Sequence, residues 1–293
     1  MARRSRRNET PPLGNSSLAA VLNWLIPGAG HLLLGKAMFG LAAFVVVEGL
    51  FIVGYWLTDG MLFQYLQAEL RSPFAGALTP EAGNLGALLW HMNHDPYGVA
   101  PFTPQAWPST MKLGVFFTAL SGVMNIALCV RAYSDGAHSK ERLEAGPHPG
   151  TAVFLAWLVP GLGHWVQGRK LRGGIIFLVL MTLLGLATVL SQGVNLDREL
   201  HFYYWSGQFM VGSPAILLEG LFGIGRLREE IEYADAGLVF GCLAGLLNIL
   251  AMMDAYTMSE VRLASPAQSS SAADGDAGAG TPTEPNEQVG ATR

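Results

Sequence analysis

Long apolar runs alternate with short polar breaks along this chain. Four of the runs, about 40–57, 113–130, 174–190 and 236–253, are long enough to cross a bilayer, which takes roughly 17 to 25 apolar residues per helix. Two shorter apolar stretches, 18–34 and 151–167, each carry a Pro-Gly near the middle. Proline removes a helix hydrogen bond and glycine permits a sharp turn, so each of these is predicted to bend. Each either crosses the bilayer as a short span or re-enters on the side it came from. The pattern predicts an all-α membrane protein with four to six membrane helices.

The pattern also repeats. Residues 18–40 and 151–173 share ten identities in 23 positions, among them Trp24/Trp157, Pro27/Pro160, Gly28/Gly161, Gly30/Gly163, His31/His164, Gly35/Gly168 and Gly40/Gly173. Residues 113–133 and 236–256 share eight in 21, including Gly122/Gly245, Asn125/Asn248 and Tyr133/Tyr256. The chain therefore reads as a tandem duplication of one helical unit, a bent Pro-Gly element plus two transmembrane helices. A basic tail (1–17), a first membrane repeat (18–134), a linker (135–150), a second repeat (151–262) and a disordered tail (263–293) complete the layout. The last segment is rich in Ser, Ala, Gly, Pro and acid and cannot bury a core.

Gly30-x-x-x-x-Gly35-Lys36 has the spacing of a phosphate-cradling loop. Such a loop needs a preceding strand and a Ser or Thr after the Lys. Position 37 is Ala, and the second copy has Arg169 in place of the Lys. A nucleotide is therefore not expected. What the copies share is Trp, Pro-Gly, Gly-His and a Gly-basic step, which describes a corner near the membrane surface, with the Trp and the basic residue suited to the interface.

Pro-Gly-x-Gly-His, then Gly-Lys/Arg, then Gly before an apolar helix resembles a group of bacterial membrane families. It is distantly similar to the two-transmembrane-helix domain superfamily. The Asn and Ala-Tyr positions of 125–133 and 248–256 strengthen the likeness to an uncharacterised bacterial family with this duplicated layout. The resemblance implies a bacterial membrane and no specific activity. Arg131 stands where the second copy has Asp254, so a role tied to that acid is not expected in both halves.

Composition agrees. The chain has 293 residues, 51% hydrophobic and 14% charged, with mean hydropathy +0.33, against about 25% charged in soluble domains. The net charge of -4 gives nucleic acid no electrostatic hold. Cys129 and Cys242 lie in apolar runs and imply no disulfide framework. Leaving Arg293 aside, Lys and Arg split 12 to 5 in favour of the side holding the termini when both Pro-Gly elements are re-entrant, and 10 to 7 with six spans. The positive-inside rule then puts both termini in the cytoplasm of an inner-membrane, multi-pass protein.

Few residues carry chemistry. Glu48 sits mid-run, where a carboxylate costs at least about 2.5 kcal/mol and must be paired or protonated. Asn125 and Asn248 suit interhelical hydrogen bonding. Gly237, Gly241 and Gly245 form a small-residue ridge, matched by Gly114, Thr118 and Gly122, which lets helices approach closely. The expectation is that these two helices pack centrally, facing each other across a pseudo-two-fold axis. His31 and His164 are expected to cap carbonyls at the corners, with paired ligation the alternative. His91, His94 and Asp95 form a sparse cluster without a second partner set. No cofactor or metal is called for.

Three function classes follow. The first is a non-catalytic structural, assembly or interaction component whose partners are the lipid bilayer and a membrane protein or second copy. The second is a small transporter or channel using Glu48 with Asn125 or Asn248 around a central pathway. The third is a membrane enzyme acting on lipid, with His31, His164, Tyr133 and Tyr256 on the same side of the membrane.

Overall fold

The computed structural model describes residues 13–61, 76–94, 107–198, 200–222 and 231–264. The first repeat contains α1 (Leu13–Leu25), α2 (Ala29–Leu33), α3 (Ala37–Leu57), a 3-10 turn at Pro80–Gly83, α4 (Leu85–His94) and α5 (Met111–Ala137). The connector holds α6 (Lys140–Glu144). The second repeat contains α7 (Pro149–Leu158), α8 (Leu162–Val166), α9 (Lys170–Leu190), a 3-10 turn at Val194–Leu196, α10 (Phe202–Phe209), α11 (Ser213–Phe222) and α12 (Ala234–Ala264). Among the described residues there is no strand. Four helices, α3, α5, α9 and α12, are long and apolar enough to cross a membrane. The chain is an all-α, multi-pass membrane protein.

Neither Pro-Gly element crosses. α1 ends at the proline corner, where Gly28 takes φ +84°, and Gly161 takes φ +81° at the matching place. A Cβ on Gly28 would lie 2.0 Å from the Gly40 carbonyl oxygen, and one on Gly161 would lie 2.1 Å from that of Gly173. The shared Pro-Gly and the shared later Gly are thus one device, a left-handed turn packed on the start of the next helix. α1 enters beside the end of α5, where Ser16 meets Gly136. α2 runs back along it, Gly30 resting on the Ala19 carbonyl. The chain then leaves at Lys36, whose ammonium reaches Asp135 at 2.6 Å, level with the point of entry. Each Pro-Gly element is a re-entrant helical hairpin. The segment before Gly30 is helix, not the strand a nucleotide-binding loop requires.

A second insertion comes from the opposite side. After α3 the chain folds back, so that Pro80–Gly83 lies against Gly122 in the interior of α5. In the second repeat α10 lies against Gly245 of α12. The hairpin tip and the returning segment touch: the Trp24 indole N–H donates to the Ala82 carbonyl at 3.0 Å, and the Ser213 hydroxyl donates to the Leu158 carbonyl. Each repeat is therefore two full spans with two half-depth insertions meeting between them.

This arrangement corrects two expectations. The glycine ridges do not face each other. Gly114 meets Gly54 and Thr58 of α3, and Gly237 meets Ala187 and Ser191 of α9. Further along, Gly122 and Gly245 admit the returning segments. Small residues are spent on partners within the same repeat, because two extra chains must reach each long helix. The repeats join instead through α7 against α5 and through a core of Met61, Met111, Val115 and Ala119 packed with Trp157, Phe202, Trp205 and Phe209. The paired tryptophans are not interfacial anchors either. Both sit at hairpin tips, and Trp157 is 1% exposed. The two long helices do converge at one end, where Tyr256 lies near Tyr133 and His138 pairs with Glu260 at 2.8 Å. Both copies thus share one orientation.

The ridge yields a graded prediction. A Cβ on Gly245 would lie 1.8 Å from the Gly207 carbonyl oxygen, whereas the nearest atoms to one on Gly241 belong to side chains, the end of Gln208 and the Cβ of Ala187. Gly185 has open space. Gly245→Ala should cost about 3 kcal/mol or more by overpacking, Gly241→Ala clearly less, and Gly185→Ala nothing or a small gain from helix propensity. Unfolding of the purified protein in detergent, followed by tryptophan fluorescence, gives the order.

Candidate functional site: paired corner clusters and asparagine locks

At each corner the shared histidine is fully buried and points at an aspartate on the long helix of its own repeat. In the second repeat His164 Nε2–H donates to Asp254 Oδ2 at 2.7 Å. Arg172 reaches Asp254 Oδ1 at 2.7 Å and Arg169 lies 3.6 Å from Oδ2. In the first repeat the acid is Asp135. Lys36 Nζ lies 2.6 Å from its Oδ1, His148 Nε2 lies 3.1 Å from the same oxygen, and His31 Nε2 lies 3.7 Å from Oδ2.

The reading that an acid role could not hold in both halves is overturned. By alignment Asp254 matches Arg131, and Asp135 lies four residues beyond Arg131. Four residues are about one helical turn, which returns a side chain to the same face. The first copy therefore supplies its carboxylate one turn further along, and both corners keep a His, an acid and a basic residue. The cue in the sequence is an acid on the same face in either register, which gap-free alignment hides.

The two corners differ in a second way. Asn23 Oδ1 accepts from the Gly28 N–H at 3.0 Å and from His31 Nδ1–H at 3.0 Å. The second copy has Ala156 at that position, and His164 Nδ1 is buried without a hydrogen-bond partner. In the first, His31 lies outside the four spanning helices, and burial pulls its imidazole down to about 4, against the upward pull of Asp135. It is neutral at pH 7, so the charge pair holding this corner is Lys36–Asp135. His31 Nε2 and Asp135 Oδ2, both buried, lack hydrogen-bond partners.

Deeper in each repeat lies an asparagine. Asn125 is ten residues before Asp135, where Lys36 at the start of α3 meets α5, which puts it about 15 Å inward at 1.5 Å per residue. Its Nδ2 donates to the Gly83 carbonyl at 2.8 Å, and its Oδ1 accepts from Asn23 Nδ2 at 3.1 Å. Asn248 Nδ2 donates to the Met210 carbonyl at 2.8 Å and the Ala156 carbonyl at 3.2 Å. Each asparagine is 0% exposed and ties the returning segment to the hairpin tip. Backbone groups freed by a broken helix must be satisfied inside the protein at this depth.

A family model matches this unit twice, over residues 18–143 and 151–266, and its description is a family of unknown function, DUF6677. The chain belongs to DUF6677. Its matched segments cover both hairpins, both asparagine locks and both corner aspartates. No curated protein matches this DUF6677 chain. No solved structure matches it either.

The remaining sequence candidates fall apart spatially. Glu48 is half-buried on α3 and lies beside Asn84, whose amide reaches Ser121 of α5 at 3.5 Å. Asn125 and Asn248 hold separate repeats and do not meet around a common path. Tyr256 lies beside Glu260 and Tyr133, while each histidine faces its own acid. His91 and His94 end α4, but their side chains and Asp95 lie outside the described residues. Among the described residues no cluster suits a metal. Sequence reasoning missed Glu81, which is 1% exposed. Thr118 Oγ1 donates to it at 3.1 Å, and burial raises its carboxyl above the usual range. Gln208 takes the matching place in the second repeat, and Asn195 Nδ2 donates to its carbonyl oxygen at 2.8 Å.

The corners make unequal predictions. The Asp135 side chain is 2% exposed and that of Asp254 is 24% exposed. Asp135→Asn should cost about 2 kcal/mol, because the buried carboxylate that accepts from both Lys36 and His148 is lost while Lys36 itself stays partly solvated. Asp254→Asn should cost about 1 kcal/mol, because solvent screens its arginines. Equal shifts in the detergent unfolding midpoint for the two variants would contradict this ranking.

Proposed function

We propose that this DUF6677 protein is a non-catalytic structural or assembly component of a bacterial inner membrane, with both termini cytoplasmic. One observation carries the reading. The shared histidines and asparagines, with the corner acids beside them, are occupied in holding each repeat's own hairpin and returning segment. They close the fold from within, since their partners lie in the hairpin, the returning segment and the long helix beside them. The orientation rests on the basic corners, where Lys36, Arg131, Arg169, Lys170 and Arg172 cluster at one end of the spans. The outward faces of α3 and α9 are apolar, with Phe44, Val45, Trp56, Leu178 and Val189 all exposed, and these offer lipid or a partner helix a broad surface.

Site-specific photocrosslinking from positions 45 and 178 in native membranes tests this. A discrete protein adduct, to a second copy or to one partner, is expected. Crosslinks to lipid alone from both faces would overturn it.

Transport is a second reading, and it is favoured by Glu48. Half-depth insertions meeting from both sides are a layout that transporters use around a midplane site, and Glu48, Asn84 and Ser121 form a polar row between α3 and α5. Transport requires water at Glu48. With Cys129 and Cys242 replaced by Ala, Glu48→Cys should be modified by a membrane-impermeant thiol reagent if a pathway exists. The structural reading expects no modification there, and Glu48→Gln without effect on growth.

A further inference from the structure

Arg131 is not used by either corner. It lies one turn before Asp135, whose Oδ1 is taken by Lys36 and His148. Among the described residues Arg131 has no ion pair, and its Nε is buried without a hydrogen-bond partner. One face of the guanidinium is covered by the Phe39 ring, 4.6 Å from Cζ to centroid. The donor-bearing edge remains. Arg131 lines a cleft of about 150 Å³ between the repeats, together with Phe39, Ala127, Leu128, Gly150 and Phe154. The cleft exists because Gly150 brings α7 against α5: a Cβ there would lie 2.8 Å from Arg131 Cβ. It is open at the surface, where Thr151 is exposed and Phe39 is 37% exposed.

We propose that this cleft holds one anionic phospholipid, its phosphate on Arg131 and an acyl chain along Phe39 and Phe154. Three observations select this occupant. A guanidinium edge matches the oxygens of a phosphate and binds them with paired hydrogen bonds. Arg131 lies about 6 Å inside the level of Lys36, a depth from which an arginine reaches the headgroup layer while its stem stays among apolar groups. The cleft walls are apolar, as a chain requires, and basic pockets between membrane helices on one face are a recurrent lipid headgroup site. The second repeat cannot form an equivalent site, since Asp254 stands in the matching position. One lipid per chain follows.

The test is native mass spectrometry of the full chain in mild detergent, titrated with phosphatidylglycerol or with phosphatidylcholine of the same acyl chains. The expected result is a single retained phosphatidylglycerol, bound about fivefold more tightly than phosphatidylcholine, the worth of one interfacial arginine. Arg131→Gln should abolish the preference and Arg131→Lys should keep part of it. Thr151→Trp, at an exposed position, should block the cleft and lose the lipid with Arg131 intact, so the test stands even if Arg131→Gln fails to fold. Equal affinity for the two lipids in the unmodified protein would overturn the proposal. So would an unchanged preference in Arg131→Gln, a lipid retained by Thr151→Trp, or displacement by glycerol phosphate as potent as by the intact lipid.

Discussion

The structure depends on satisfying backbone carbonyls where helices break inside a low-dielectric layer. Each repeat stops two elements at half depth, and every such stop frees carbonyl groups that water cannot reach. A lone amide side chain on an unbroken helix is the economical answer, because it donates twice from one fixed position. Asn248 does this for one carbonyl of the returning segment and one of the hairpin, and Asn125 donates to the returning segment while accepting from Asn23 of the hairpin. The glycines at 122 and 245 are part of the same solution. Without a bare backbone there, the returning chain would stand too far from the amide to accept from it.

The corners solve a different problem. A hairpin that enters and leaves on one side has no packing across the full bilayer to hold it down. An ionic tether from corner to long helix supplies that hold. It works because the tether lies near the membrane boundary, where charge is tolerated, and because its histidine is buried against the hairpin itself. The two copies reached this with different wiring. One uses a lysine, two histidines and a deeply buried acid. The other uses two arginines and a more exposed acid. With its acid one turn further along, the first corner leaves Arg131 outside its ion pairs, so the two copies differ in chemistry at equivalent positions.

Much of this was legible beforehand. The four spans, the duplication and the bent corners follow from run length, from identities at fixed offset and from the Pro-Gly pairs. Hydrophobic thickness and the missing proline N–H leave few alternatives, so these features need no knowledge of partners. His31, His164, Asn125 and Asn248 stood out beforehand, because an isolated polar group in an apolar run must have a partner, but the histidines were expected to cap carbonyls and they face acids instead. Which partner was not visible. Asp135 was passed over because alignment without gaps compares residue numbers, whereas a helix face repeats every three to four residues. Glu81 was passed over because it lies in a segment whose local composition reads as an external loop.

The sequence by itself determined the class of solvent, the number of copies and the positions where the chain must turn, since these depend on local composition and on backbone geometry. Only the tertiary structure decided that the turns re-enter instead of crossing, that the glycine ridges face inward to their own repeat, and that each histidine has an acid. Those outcomes depend on distances between residues far apart in the chain, set by close packing of several elements at once. No local pattern encodes them.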